Sequence, residues 1–283
     1  MQKSLRTLRI IISTVCFILL TATIAVAWLS DSALGQLLRN MQLVPAVLSG
    51  ATVWIVIWVV VTLTFGRVYC STVCPAGTLQ AIALRMRRAS GHNPNFRYAQ
   101  PKNVLRLAVA AVVGVCLLVG AVAVVEITDP YNIYARTVNA IARPVAAGAG
   151  GLVVAVLILA AIFAAGWWRG RLLCNTLCPA GTLLGYLSRT PICRIDINTD
   201  LCVHCGKCEQ MCPSQCIDLG NHTVDLSRCV VCMDCTAECP NDAITLRRGR
   251  HKLSTPMMMS TAQNCRAPQR CETADTASQI DKN

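Results

Sequence analysis

The chain has 283 residues, of which 26 are Lys or Arg and 14 are Asp or Glu, a net charge of +12. It is 54% hydrophobic and 14% charged, where a soluble domain carries about a quarter charged residues. That balance points to a membrane protein and away from a nucleic-acid binder, because Arg in short membrane loops accounts for the positive charge.

Met1 to Arg9 is short and basic, and Ile10 to Leu29 is apolar and uncharged. A span takes about 20 residues, so this stretch is the first expected crossing. Ala25-Val26-Ala27 resembles a signal-peptide cleavage site, but the apolar run exceeds the about 7–15 residues of a signal core. Asp31 to Pro45 reads as a polar loop. Ala46 to Phe65 reads as a second span, Leu107 to Val125 as a third and Val145 to Trp168 as a fourth. Trp167 and Trp168 close the last one where an aromatic belt sits.

Orientation follows from Lys and Arg. Lys3, Arg6, Arg9, Arg67, Arg85, Arg87, Arg88, Arg97, Lys102 and Arg106 fall on one side, and Arg39, Arg136 and Arg143 on the other. Ten against three puts both termini in the cytoplasm, at the inner membrane of a bacterium.

Leu201 to Pro240 carries two runs of the form C-x2-C-x2-C-x3-C-P. They are Cys202, Cys205, Cys208, Cys212-Pro213 and Cys229, Cys232, Cys235, Cys239-Pro240. This is the bacterial ferredoxin spacing for 4Fe–4S clusters, in which the fourth cysteine of each run binds the other cluster. Cluster I is therefore expected on Cys202, Cys205, Cys208 and Cys239, and cluster II on Cys229, Cys232, Cys235 and Cys212. Thiolates suit the soft iron–sulfur core. A pair of zinc knots is the competing reading, but zinc ribbons lack the third x2 step. Ala243 to Leu246 adds a strand-like piece, and the polar remainder is expected to be a disordered tail containing Cys265 and Cys271.

Arg67-Val-Tyr-Cys70-Ser-Thr-Val-Cys74-Pro75-Ala-Gly-Thr-Leu79 is repeated as Arg171-Leu-Leu-Cys174-Asn-Thr-Leu-Cys178-Pro179-Ala-Gly-Thr-Leu183. Each copy follows a span on the cytoplasmic side. Parallel repeats pack about an axis along the membrane normal, which brings the two motifs together. A helical C-x3-C puts two thiols on one face, and each proline suits the first turn of a following helix. Cys70, Cys74, Cys174 and Cys178 are candidate ligands of a shared cluster or another metal. Helix-end packing and a redox-active thiol pair are the alternatives. Twelve of the 18 cysteines lie in these four motifs, which favours reduced thiols over disulfides.

Four spans, two CxxxCP motifs and a C-terminal two-cluster ferredoxin resemble the NapH/MauN-type membrane polyferredoxins from Ile10 to about Leu246. The Ala-Gly-Thr-Leu continuations lean toward the methylamine-utilisation branch. The resemblance implies electron transfer between the quinone pool, or another membrane donor, and a partner redox system. That partner is expected to be a redox protein, such as a second ferredoxin-type subunit.

The expected architecture is an all-α polytopic domain with a two-fold repeat (residues 1–190), a small α+β ferredoxin domain carrying two 4Fe–4S clusters (191–247) and a tail (248–283). Glu126 and Asp129 are placed to accept a quinol's protons, although a solvated loop start is the plainer reading. Cys16, Cys116 and Cys216 read as packing, and Cys193 fits no motif. His204 reads as solvated, while Lys207 and Arg228 read as surface charge beside the clusters. No nucleophile–His–acid grouping or phosphate loop occurs. The rival functions are a maturation factor that supplies electrons for a partner's cofactor assembly, and a structural membrane anchor that recruits a soluble ferredoxin.

Overall fold

The computed structural model describes residues 2–249. The expected tail, from 250 on and including Cys265 and Cys271, lies outside the described residues. Among the described residues the longest helices are α1 (Gln2–Ala25), α2 (Thr52–Phe65), α3 (Pro75–Ala89), α4 (Asn103–Leu118), α5 (Pro130–Ala142), α6 (Pro144–Arg169) and α7 (Pro179–Leu187).

Among the described residues, two stretches are long and apolar enough to cross a membrane, Ser4–Ala25 in α1 and Gly148–Arg169 in α6. The other two expected spans are shorter as helices. With 14 and 16 residues, α2 and α4 reach about 21 Å and about 24 Å at 1.5 Å per residue, short of a hydrocarbon core of about 30 Å. Glycines cause the shortening. Gly50 at φ +69° stops the chain ahead of α2, and Gly120 at φ +79° ends the stretch after α4. Those left-handed conformations come readily only to glycine. Gly148, also at φ +69°, kinks α6 near its start.

These helices turn apolar side chains outward. Val53, Val56 and Val60 on α2 are exposed, as are Val104, Leu107, Val112 and Val115 on α4 and Val153 and Leu157 on α6. Only 6% of the α6 window is buried and 28% of that in α1. The core helix of a soluble protein is mostly buried, so these are not core helices.

Asp31 to Pro45, expected as a polar loop, folds instead into the helices Ala33–Asn40 and Leu43–Leu48. Ser32 caps the first, its hydroxyl accepting from the Gly35 amide at 3.2 Å. The chain then runs inward. The Tyr69 hydroxyl donates to Gln42 Oε1 at 2.9 Å and accepts from the Leu43 amide at 3.2 Å. Trp58 Nε1 donates to the Met41 carbonyl at 2.8 Å. The connection between the first two expected spans thus reaches the turn that carries Cys70.

After α7 comes the ferredoxin region. Its first strand is β1 (Cys193–Ile197), and β2 (Ile217–Asp218) and β3 (Thr223–Val224) form a hairpin. The last strand, β4 (Ile244–Arg248), returns antiparallel onto β1 with Ile195 opposite Leu246 and Ile197 opposite Ile244. The region is seated on the helix ends within one compact unit. The Arg171 amide donates to the Pro213 carbonyl at 2.8 Å, Phe96 to Gln210 at 3.1 Å and Ile192 to Leu63 at 3.1 Å.

Candidate iron–sulfur centres

The two cysteine runs curl by the same backbone device. His204 and Val231, at φ 54° and 51°, precede the second cysteine of each run. Gly206 and Met233, at φ 74° and 58°, follow it. Gln215 and Asp242, at φ 52° and 50°, sit three residues past the fourth. Left-handed backbone is strained in residues other than glycine, most of all in β-branched Val231. Alternating handedness points successive N–H groups into one concavity, a form that suits anionic sulfur sites. Short helices at Lys207–Gln210 and Asp234–Glu238 carry the third cysteines, Cys208 and Cys235.

Two small voids result. Cys202, Cys205, Cys208 and Cys239 line one, with Ile197, Leu219 and Ile244 among its apolar walls. Cys212, Cys229, Cys232 and Cys235 line the other, with Ile195, Ile217 and Val230. The fourth cysteine of each run therefore faces the void of the other run. Thiol-lined apolar hollows fit a soft, polynuclear core. Among the described residues, no three Cys, His, Asp or Glu side chains close to the spacing of a single ion. Burial pushes Cys208 up to about 11 and Cys232 up to about 12. Thiolates, the ligating form, are thus disfavoured without a cationic core to hold them.

The second void has a fifth sulfur. Cys216, 2% exposed, lines it and stands 3.5 Å from Cys212 Sγ. A hydrogen bond from its thiol lowers the Cys212 thiol below its ordinary value. The equivalent position in the other half is Ala243, whose backbone amide donates to Cys239 Sγ at 3.3 Å. Read from sequence as packing, Cys216 is also a sulfur neighbour of the second set, and aligning the two halves of the region would have exposed it. Arg228, read as surface charge, is 4% exposed and bonded to Asp225 at 2.6 Å. His204 is exposed and packs edge-on against His222.

The CxxxCP motifs also come together. Pro75 and Pro179 open α3 and α7. Cys70 and Cys74 share a buried cluster with Ala180, and Cys178 packs against it. Burial pushes Cys74 and Cys178 well up, and Cys174 and Cys70 add to both. Cys174 Sγ donates to Gln80 Oε1 at 3.1 Å. Gly181 N donates to Cys178 Sγ at 3.3 Å.

Glu126 is ion-paired with Arg136 at 2.6 Å on the surface. Asp129, expected to be solvated, is 3% exposed and caps α5 by accepting from the Asn132 amide at 3.1 Å. Burial raises its carboxyl to about 6.

A 4Fe–4S binding domain family (Fer4_5) matches the chain twice, at residues 47–92 and 151–198. A second 4Fe–4S binding domain family (Fer4) matches residues 195–218 and 222–245. The chain is 28% identical over 177 residues to YccM of Escherichia coli strain K12, a protein named for a proposed role in electron transport. The match covers 60% of this chain and 48% of that protein. It is 30% identical over 149 residues to the methylamine utilization ferredoxin-type protein MauN of Paracoccus denitrificans strain Pd 1222, covering 52% and 48%. The uncharacterized protein MJ0749 of Methanocaldococcus jannaschii is 34% identical over 65 residues, covering 23% and 26%. The chain spans about half the length of YccM and MauN. No solved structure matches it.

Proposed function

Because this chain belongs to the membrane-type polyferredoxins and is a ferredoxin-type electron-transport protein, we propose that it passes electrons between the quinone pool and a partner redox protein through two 4Fe–4S clusters. Cluster I takes Cys202, Cys205, Cys208 and Cys239, and cluster II takes Cys229, Cys232, Cys235 and Cys212. One observation carries the assignment: two thiol-lined voids, each completed by the last cysteine of the other run.

When bound, the clusters accept and release single electrons. The chain's own residues set where that happens. Cys205 is exposed beside Leu201 and Val203, 49% and 61% exposed, so this edge is the face toward the partner. Val230, 1% exposed, and Cys232 pack on the helix side against Cys70 and Cys74. The second void therefore lies between the helices and the first.

The donor reading rests on a cavity of about 380 Å³ whose lining includes Asp31, Arg39, Glu126, Tyr131 and Asn132. Pockets of that size hold small organic molecules. A quinol oxidised there releases two electrons and two protons, with Glu126 as the proton acceptor in the lining; Asp129, buried as the cap of α5, does not line the cavity. Met41 packs against both the core that contains Tyr131 and the core that contains Cys70, which links the cavity to the cysteines. Helical residues 1–190 sit in the inner membrane as a two-fold repeat in which α1 and α6 are full-length spans and the shorter apolar α2 and α4 lie beside them, and the ferredoxin region (191–247) faces the cytoplasm, where Lys and Arg are in excess. The partner system is methylamine utilisation or periplasmic nitrate reduction, and MauN's name favours the first.

The test is anaerobic purification of the full chain in detergent. At least about eight iron and eight sulfide per chain are expected for two cubanes, with bleaching and a paramagnetic signal after quinol is added. Colourless protein, or zinc in place of iron, overturns the cluster assignment. Iron present but inert to quinol overturns the donor.

A further inference from the structure

We propose that Arg9 and Arg171 are positioning residues for cluster II: two buried guanidinium groups that the helical region sets beside Cys232, where they raise that cluster's reduction potential. This rests on the iron–sulfur reading of the ferredoxin region and adds how the helices tune the cluster nearest to them.

A further hollow backs onto the void of cluster II from the helix side, and Cys232 lines both. The charged residues around this hollow are Arg9, Arg85, Arg88, Arg171 and Asp234. Four guanidinium groups thus share one carboxylate, and Asp234 is already held by Arg6 at 3.0 Å and Arg88 at 3.2 Å. Arg9 is 8% exposed and Arg171 is 2% exposed. Among the described residues neither is ion-paired to a carboxylate, and Arg9 Nε has no hydrogen-bond partner. Buried cations left without a counter-charge are costly. Cys232 and the core it ligates are the negative charge that this hollow offers them.

The chain fixes both groups in place. Gly170, at φ +63°, presses on Pro213, the residue after Cys212; a Cβ on it would stand 2.6 Å from the Pro213 carbonyl oxygen. That oxygen accepts from the Arg171 amide at 2.8 Å. Arg171 Nη1 donates to the Cys70 carbonyl at 2.8 Å, while its counterpart Arg67 reaches the Cys174 carbonyl through Nη2 at 3.5 Å. Arg9 comes from α1, and its Nη1 donates to the Ser71 carbonyl at 3.3 Å.

An iron–sulfur core bound by four thiolates carries net negative charge, and reduction adds to it. Fixed cations therefore favour the reduced form, and in the interior solvent screens them little. The same pull acts on the free ligand: burial and Asp234 push the Cys232 thiol up, and Arg9 and Arg171 oppose them. Among the described residues the lining of the cluster I void contains no Lys or Arg, so the effect falls on one cluster. A quinol gives up electrons readily only to an acceptor that does not lie far below it in potential. Raising cluster II makes the helix-side cluster the point of entry.

Full-length protein is purified anaerobically in detergent as wild type, Arg9→Gln, Arg9→Lys and Arg171→Gln, and each is titrated redox-wise under paramagnetic resonance. Cys232→Ser, which alters the signal of cluster II, tells the two clusters apart. Iron content and helix content by circular dichroism are the controls. Arg9→Gln should keep its iron, shift the midpoint of cluster II negative and leave cluster I in place. Arg9→Lys should stay near the wild type, and added salt should not abolish the difference, because the charge is buried. Equal midpoints in wild type and Arg9→Gln, with iron retained, overturn the tuning role and leave both clusters standing. A shift of cluster I, or of both clusters alike, overturns it as well. If Arg9→Gln loses iron, Arg171→Gln decides on the same terms, and loss of iron from both glutamine variants makes the arginines structural and overturns tuning. A wild type devoid of iron overturns this proposal together with the cluster assignment.

Discussion

Asp234 accepts from Arg88 at 3.2 Å, an ion pair that joins the second cysteine run to the end of α3. Arg6 of α1 reaches the other oxygen at 3.0 Å. The Asp234 and Arg88 side chains are 12% and 14% exposed, so solvent screens the contact little. Removing one partner of a buried pair costs about 3 kcal/mol. Asp234→Ala should therefore loosen the ferredoxin region from the helices. Thermal unfolding in detergent should show a lower midpoint, and limited proteolysis should cut sooner within residues 90–102. An unchanged midpoint and unchanged cutting would mean that the backbone bonds to Pro213 and Gln210 carry the docking alone.

The glycines of the paired motifs give a graded prediction. Gly181→Ala drives a methyl group into a carbonyl oxygen and a buried guanidinium, and neither neighbour has room to retreat. Overpacking of this kind costs about 1–3 kcal/mol. Gly150, in α6, has open space within 4 Å of the place a methyl group would occupy, and alanine there gains about 1 kcal/mol of helix propensity. Expression and melting of the two variants should diverge in opposite directions. Equal behaviour would mean that Gly181 is not held tightly against the Cys174 carbonyl and the Arg67 guanidinium.

How far the sequence disclosed this arrangement depends on the type of signal. Cysteine spacing is local and chemically demanding, so both runs and both CxxxCP motifs stood out, and the prolines marked the starts of α3 and α7 correctly. Gly50 and Gly120 were visible but sat inside apolar stretches, where hydropathy averages over a helix break. Asp31 to Pro45 looked like a loop because its polar residues are numerous. The partners that bury Gln42, Tyr69 above all, lie about 27 residues away and leave no local mark. Arg67 and Arg171 were legible as matched positions, but their exchange of partners was not. Cys216 was masked because it follows a complete motif.

Cys216 supplies the third prediction. It is a buried thiol 3.5 Å from Cys212, in a void that already has four cysteines. Hydrogen bonds to ligating sulfur raise a cluster's potential. Cys216→Ala should leave iron content unchanged and move the potential of one cluster negative, with the other unmoved. Cys216→Ser retains a donor and should recover part of the shift. Redox titration followed by paramagnetic resonance separates the two clusters. Lost iron in Cys216→Ala would instead make this residue a ligand in place of Cys212.

Asp129 supplies the last prediction, through pH. Its carboxyl stands at about 6 in the fold against 3.8 when unfolded, because burial opposes its charge. The folded state therefore binds more protons than the unfolded one between those values. Below about 4 the carboxyl is neutral in both states and no penalty applies. As pH rises through 4 to 6 the penalty grows, and above 6 it is complete, at about 3 kcal/mol by the two-unit difference. Stability should fall over that window and then level off. Asp129→Asn keeps an oxygen to accept from the Asn132 amide, so the cap on α5 survives while the charge is gone. The variant should melt higher than the wild type at pH 7 and equal it near pH 4. A wild-type midpoint that rises from pH 4 to 6, with the asparagine variant following it, would show that other carboxylates govern this range.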